Sequence, residues 1–289
     1  MIRIRETAPA KLNLGLRITG KRSDGFHDIL SVFQTVTLHD TLDMEAAVDS
    51  TLACSFPGVP DGPDNLVIRA GKALGRRLDK RFEARYTLDK NIPAGAGLGG
   101  GSSDAAAALR GLRRLFPGAG ICDCDLRECA AGLGSDIPFL LQGGTAIVEG
   151  RGERFVEFAW PFDFTYVLVY PGFGVSTAWA YGSLRGFFDD GGVYRTMTER
   201  LTEGTVTRDI FFGALRNDFE ATVFERYPIL GGIRDALLRH GARASLMSGS
   251  GSTVFGIFEA GEEAERCAEA MRGEHRDVFV AREYRPCQA

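Results

Sequence analysis

The sequence predicts an α+β protein of two domains, and three observations carry that expectation. Residues 29–56 run through successive strand patterns. Residues 82–112 pass from an alternating strand through a glycine-rich turn into a helix-forming run. Beyond residue 154, a strand–loop–strand, a helix and a last strand follow in the order of a sheet with helices on one face. At 289 residues the chain can bury a large core, and the strand and turn at 145–153 mark a boundary between domains over 1–154 and 155–289. Hydrophobic residues make up 44% and charged residues 25%, the balance of an ordinary soluble globular protein. The net charge is −4 and the pI about 5.7, so binding to nucleic acid or to a membrane surface has no electrostatic support. Residues 1–5 show no signal-peptide pattern, and no apolar run is long enough to span a bilayer; a cytoplasmic protein is expected. The six cysteines are scattered. Cys122, Cys124 and Cys129 lack the C-x-x-C spacing of a zinc site, so the cysteines read as reduced thiols and no metal site is expected.

Taken in order, residues 2–5 alternate like an edge strand. In residues 8–18 the even positions from Leu12 to Ile18 are apolar, while Lys11, Asn13, Gly15 and Arg17 share the other face. A lysine on a strand is ordinarily a solvated charge; beside Asn13 on a glycine-containing strand, Lys11 is also a candidate functional group. Residues 20–28 form a polar turn that ends in Phe26 and His27. The histidine is either structural or, with its aromatic neighbour, a platform for a planar ligand. Strands are expected over 30–38, 41–45 and 52–54, then a loop over 57–63 and a helix from Asp64 or Asn65 to about Leu78.

Phe82, Ala84, Tyr86 and Leu88 alternate with polar residues as a half-buried strand, and the segment PAGAGLGGGSSD follows at 93–104. Five glycines in twelve residues belong to neither a helix nor a strand interior, because each loses more backbone freedom on ordering than any other residue. Residues 105–112 are helix-forming, with Ser102, Ser103 or Asp104 available as N-cap. A strand, a glycine turn and a helix start in that order make an anion site: bare amides point outward and the helix dipole favours negative charge. Gly95, Gly97 and Gly100 match G-x-G-x-x-G, but residues 121–125 read as a turn opening another helix where a dinucleotide fold wants an acidic residue closing a strand. No lysine follows the glycines, so a Walker-type loop is excluded. A mere tight connection needs fewer glycines. The segment reads as a phosphate cradle.

A helix over 124–133 follows. Asp136, between Ser135 and Ile137-Pro138, is either an N-cap for a short helix or a functional carboxylate, and the two roles are compatible. In the second half, residues 165–170 form a strand stopped by Pro171-Gly172, and Ser176 or Thr177 opens a helix carrying Trp179 and Tyr181. Residues 210–240 read as helices separated at Pro228, with Phe211, Leu215, Phe219 and Val223 as a core stripe. Residues 245–258 read as strand, small-residue loop and strand around Ser248, Gly249, Ser250 and Gly251. This loop lacks the G-x-S-x-G order of a nucleophile elbow. A helix over 262–271 and a strand over 278–284 close the chain.

Three of these motifs together resemble the GHMP small-molecule kinases. Residues 9–14 (PAKLNL) look like their first motif, residues 93–103 like their ATP-phosphate loop, and residues 248–251 (SGSG) like their third. The likeness runs from the first motif to near Phe258. It implies a two-domain architecture, with an N-terminal ATP-binding domain, a C-terminal ferredoxin-like α/β sandwich and the active site in the cleft between them. It also implies ATP as co-substrate, Mg²⁺ carried with the nucleotide, and a monomer or weak homodimer. Residues 20–27, 134–138 and 175–181 are similar to the branch whose small-molecule alcohol carries a cytidine diphosphate group and serves isoprenoid-precursor biosynthesis. No nucleic-acid or membrane partner is implied.

Residue by residue, the resemblance makes Asp136 the catalytic base toward the substrate hydroxyl and Lys11 its electrostatic partner. It places the ATP phosphates on Pro93, Gly95, Gly97, Leu98, Gly99, Gly100, Gly101, Ser102 and Ser103, with Asn65 and Lys90 contacting the rest of the nucleotide. Phe26, His27 and Tyr181 match positions around the cytosine, with Asn13, Thr177, Gly249, Ser250 and Asp136 as further substrate contacts. The family usually has tyrosine at Phe26, a change that keeps stacking and loses a hydroxyl, and asparagine at Arg113. A relative acting on homoserine or mevalonate is opposed by the Phe26–His27 set. A non-catalytic nucleotide sensor of the same fold would be expected to lose Lys11 or Asp136, and both are present.

Overall fold

Two long strands stand where four short ones are expected near the start of the chain. They are β1 (Arg3–Lys21) and β2 (His27–Ala46) in the computed structural model, which describes residues 2–54, 56, 59–184, 189 and 191–285. In β1 the buried face continues through Ile4, Ala8, Ala10, Leu12, Leu14, Leu16 and Ile18. The small alanines keep the period of two but weaken its apolar signal, which is why the strand looks interrupted in sequence. In β2 the even positions Leu30, Val32, Val36, Leu42 and Met44 are buried, and the buried Asp40 masks the continuity. The expected loop over 57–63 lies partly outside the described residues.

The chain divides into two compact units that are each discontinuous in sequence. One comprises Met1–Ala10, Leu38–Ala94 and Gly99–Gly143; the other comprises Lys11–Thr37, Gly95–Leu98 and Gly144–Ala289. β1 and β2 run through both, so the units do not follow a single cut at residue 154.

The first unit contains β3 (Thr51–Cys54), α1 (Leu66–Leu78), β4 (Ala84–Asp89), α2 (Gly100–Leu115), α3 (Asp123–Leu133) and α4 (Ile137–Gln142). The second half of β2 pairs antiparallel with β4, which pairs parallel with β3. β4 alternates buried and exposed along its whole length, as its sequence pattern requires. Helix α2 packs against α1 and α4 through buried Ala105, Ala106, Ala107, Ala108, Leu109 and Leu112. The approach at Gly111 is so close that a Cβ would lie 1.6 Å from Met44 Cε.

The second unit adds β5 (Thr145–Gly150), β6 (Arg154–Glu157), β7 (Thr165–Tyr170), α5 (Thr177–Gly182), α6 (Gly192–Thr202), α7 (Arg208–Ala214), α8 (Glu220–Arg226), α9 (Pro228–Arg239), β8 (Ala244–Met247), β9 (Val254–Phe258), α10 (Gly261–Arg272) and β10 (Asp277–Arg282). The first half of β2 pairs antiparallel with β5, and β5 with β6. The strands in the order β10-β7-β9-β8 form an antiparallel sheet packed against α9 and α10. The α+β class and the helix-covered sheet of the second half match the expectation.

Five local expectations are corrected. α2 begins at Gly100, because Gly99 adopts φ +70° as N-cap and its carbonyl accepts from Ser103 N at 2.9 Å; Ser102, Ser103 and Asp104 lie inside the first turns. Asp136 occupies the N-cap position of α4 with helical φ/ψ, and its side chain makes no capping bond. Cys122 and Cys124 form a disulfide, their Cα atoms 5.3 Å apart at the start of α3, so this pair is not reduced; Cys54, Cys129 and Cys267 are free thiols, and Cys287 lies outside the described residues. Helix α6 has no expected counterpart, because its apolar positions (Tyr194, Met197, Leu201) are diluted by charge. In the stripe of residues 211–223, Leu215 is only half-buried.

Candidate active site

In the second unit the odd-numbered face of β1 carries a buried polar relay. Lys11 Nζ donates to Asn13 Oδ1 at 2.6 Å, Asn13 Nδ2 donates to Ser31 Oγ at 3.1 Å, and Ser31 Oγ donates to the Gly15 carbonyl at 2.6 Å. Lys11 is only 5% exposed, so the solvated-charge alternative does not hold. Its ammonium also sits 4.7 Å from the centre of the Phe33 ring. Each group fixes the next, so the ammonium is held in one orientation before any ligand arrives.

The first half of the glycine loop and the third motif close around that relay. Lys11 N donates to Leu98 O at 2.9 Å, Thr253 N to Ala96 O at 3.1 Å, and Ser248 Oγ to Gly97 O at 3.0 Å. Gly97 has φ +77°, and a Cβ on it would lie 2.3 Å from Ser248 O. Gly249, at φ +57°, lies so that a Cβ would come within 3.3 Å of Asn13 Oδ1 and 3.6 Å of Lys11 Nζ. Thr177 Oγ1 and Ser250 Oγ are hydrogen-bonded at 3.0 Å. Lys11, Asn13, Gly97, Leu98, Thr177, Gly249 and Ser250 are therefore brought together, while Gly95 is exposed at φ +68°.

His27 and Tyr181 are also brought together, stacked on each other at 5.1 Å with 18° between planes; Tyr181 meets Phe219 edge-on at 4.9 Å. A planar base between two rings needs about 7 Å, two stacking contacts of about 3.5 Å each, so the pair as it stands offers its outer faces. Partial burial, and secondarily Lys21, lower the His27 pKa and favour the neutral imidazole. Phe26 is 53% exposed, with the Arg151 guanidinium 5.0 Å over its ring.

In the first unit Pro93 is buried and leads into the loop, and Gly99, Gly100, Gly101, Ser102 and Ser103 form the N-terminal turn of α2. Ser103 Oγ and Asp104 Oδ1 are buried without a hydrogen-bond partner. Two unsatisfied oxygens beside a helix start are what a ligand-binding turn leaves open. Lys90 lies within a buried cluster: its ammonium bonds Asp40 and, at 2.8 Å, Asp104. Asp40 in turn accepts from Asn91 N at 2.6 Å and Ile92 N at 2.8 Å. The cluster thus clamps the loop's entry to α2. Burial pushes the Asp104 carboxyl up to about 7 against the pull of Lys90; burial alone would lower the Lys90 pKa, but the two carboxylates outweigh it and raise it. Asn65 caps α1, accepting from Val67 N at 2.8 Å and donating to Pro60 O at 2.6 Å. Asp136 is half-buried, one residue before α4. Arg113 pairs with Asp123 near the end of α2. Ser31 and Asp40 escape the sequence analysis, which reads Ser248 only as part of the third motif and Asp104 only as an N-cap candidate.

Two family models match the chain: "GHMP kinases N terminal domain" over residues 65–144 and "GHMP kinases C terminal" over 208–277. The chain belongs to the GHMP kinases. It is 40% identical over 289 residues to the 4-diphosphocytidyl-2-C-methyl-D-erythritol kinase of Citrifermentans bemidjiense, covering 97% of this chain and 98% of the relative. A crystal structure of a 4-(cytidine 5'-diphospho)-2C-methyl-D-erythritol kinase superposes with a TM-score of 0.80 at 36% identity, over 96% of this chain and 98% of the other. Homoserine kinase from Cytophaga hutchinsonii superposes at 0.73 with 17% identity, over 97% and 95% of the two chains, a likeness of fold alone.

Proposed function

We propose that this chain transfers the γ-phosphoryl group of ATP to the 2-hydroxyl of 4-diphosphocytidyl-2-C-methyl-D-erythritol, giving the 2-phosphate in non-mevalonate isoprenoid precursor biosynthesis. The observation that carries this reading is the full-length relationship, at 40% identity, to a kinase of that name. Phosphoryl transfer asks little covalent chemistry of a protein and much positioning and charge stabilisation. Asp136 accepts the proton of the attacking hydroxyl, and Lys11, pre-oriented by Asn13, offsets the negative charge that develops.

The loop residues fit a polyphosphate. Gly95, Gly97 and Gly99 hold positive φ without side chains, and α2 opens with bare amides. Ser103 Oγ, buried and lacking a partner, would be one side-chain oxygen to hold a Mg²⁺ carried with the nucleotide, which would neutralise phosphate charge. His27, Tyr181 and Phe26 receive the cytosine, either on an outer ring face or after the stacked pair parts, while Asn13, Thr177, Gly249 and Ser250 contact the remainder. Asn65 and Lys90 approach the nucleotide outside its phosphates, Lys90 through the loop entry it clamps. The 154/155 division falls between the stretches matched by the two family models, and we keep it as the boundary between the two family domains. The chain works in the cytoplasm as a monomer or weak homodimer; no helix of the described residues is long and apolar enough to cross a membrane.

The deciding experiment is turnover with ATP against 4-diphosphocytidyl-2-C-methyl-D-erythritol, homoserine and mevalonate, read by phosphorus NMR. A new phosphomonoester signal with the first alcohol alone is expected; preference for either of the others would overturn the reading.

A further inference from the structure

Four consecutive residues, Asn217, Asp218, Phe219 and Glu220, tie together parts of the proposed alcohol site that are distant in sequence. Leu16 N donates to the preceding Arg216 carbonyl at 2.7 Å, and Asp218 N donates to Leu16 O at 2.9 Å. The segment is thereby fixed to β1, the strand that carries Lys11 and Asn13. Asn217 is 3% exposed and spends both amide hydrogens on the third motif: Nδ2 donates to Met247 O at 2.7 Å and to Gly249 O at 2.8 Å. Its Oδ1 accepts from Phe219 N at 3.0 Å, and Glu220 accepts from Met247 N at 2.8 Å. Phe219 presents its ring to Tyr181.

Of the two carbonyls that Asn217 holds, that of Met247 ends the edge strand β8, and that of Gly249 belongs to a turn in which Gly249 has φ +57° and Gly251 φ +90°. Such a turn has no regular ladder to satisfy its carbonyls, so its position depends on the side chain that reaches them. We propose that Asn217 is a positioning residue for the alcohol substrate, holding residues 247–249 in register with β1 so that Ser250 stays against Thr177. This inference rests on the function proposed above. Two of the bonds that hold the nucleotide loop, from Lys11 N to Leu98 O and from Thr253 N to Ala96 O, do not pass through residues 247–249, whereas that from Ser248 Oγ to Gly97 O does, so the effect on ATP should be smaller than on the alcohol rather than absent.

The test is Asn217→Asp, which keeps the size and the acceptor for Phe219 N but turns a carboxylate oxygen toward two carbonyls. The Michaelis constant for 4-diphosphocytidyl-2-C-methyl-D-erythritol should rise at least about tenfold at pH 8, with kcat and the constant for ATP changing less than about threefold. Part of the rise, taken relative to wild type at the same pH so that the contribution of Glu220 at Met247 N cancels, should reverse as the pH falls and the new carboxyl regains a proton to donate. Asn217→Ser, measured in parallel, should raise the same constant without the pH-dependent recovery. An unchanged constant in both variants with a lower melting temperature, equal losses toward ATP and alcohol, or failure of both variants to fold would each overturn the inference. Wild type turning over the alcohol while the variants keep its affinity refutes Asn217 alone; wild type inactive on the alcohol refutes the proposed function and the inference with it.

Discussion

At the scale of single residues, buried charge and its partners decide what each group can do. Glu220 is held against Met247 N in a buried setting that pushes its pKa up to about 7 from an ordinary 4.5; burial is the larger cause, opposed by the Met247 N–H and by Arg234. A carboxyl raised on folding contributes its stability in full below the unfolded value and loses it as the pH climbs through the folded one. Wild type should therefore lose stability between about pH 4.5 and 7 relative to Glu220→Gln, which stays neutral and keeps an acceptor for Met247 N. The gap should approach about 2–3 kcal/mol above pH 7, measurable by urea unfolding of both proteins across that range; parallel pH profiles would show that the carboxyl ionises without cost. Asp136 calls for a different measurement. Asp136→Asn should lower turnover on the order of a hundredfold or more while ATP still binds, because it removes the proposed proton acceptor and leaves the amides of the glycine loop in place. Near-normal turnover with intact ATP affinity would remove Asp136 from the chemistry.

At the scale of elements, the glycine loop separates into positions where the fold requires glycine and positions where it does not. Gly97 is tied to the third motif: its φ is +77°, and the Ser248 carbonyl occupies the space a Cβ would need. Gly97→Ala should cost about 2 kcal/mol or more in stability whatever its effect on binding. Gly101 lies inside helix α2 with no positive φ, and the nearest atom to a Cβ would be Leu66 Cδ1 at an ordinary 3.8 Å. Gly101→Val should therefore leave the melting temperature nearly unchanged and weaken ATP binding about tenfold or more, since the new side chain crowds the amides proposed to take the phosphates. Calorimetric titration with ATP, alongside thermal melts, separates the two; unaltered ATP affinity in Gly101→Val would mean the α2 turn does not hold the phosphates.

At the scale of the whole chain, the second compact unit is built from three separate stretches, two of which precede residue 100. Tyr194 shows how they depend on one another. Its buried hydroxyl donates to Leu14 O at 2.6 Å and accepts from Val32 N at 2.9 Å, and its ring fills the space beside Gly15. A fragment 155–289 therefore lacks the strands that satisfy Tyr194, and a fragment 1–154 leaves Gly15 and the polar relay of β1 uncovered. Neither should show a cooperative thermal transition when made alone, although the family domain boundary lies near that cut. A sharp melt for the isolated 155–289 fragment would show that its own sheet suffices.

Whatever depends on neighbours along the chain could be read before any fold was known. The period-two alternation of residues 82–88, the glycine run of 93–104 and the strand–loop–strand around Ser248 are local patterns, and their backbone preferences were legible without a fold. The motif set also marked Lys11, Asp136 and the cytidine residues as candidates. Which groups meet depends on how distant segments pack. Nothing along the chain says that Lys11 is buried against Asn13 and Ser31, that Lys90 closes a cluster with Asp40 and Asp104, or that Asn217 reaches the carbonyls of residues 247 and 249. Those pairs are separated by up to 50 positions, and their energies come from desolvation and hydrogen-bond geometry, which exist only once distant segments have removed the water between them.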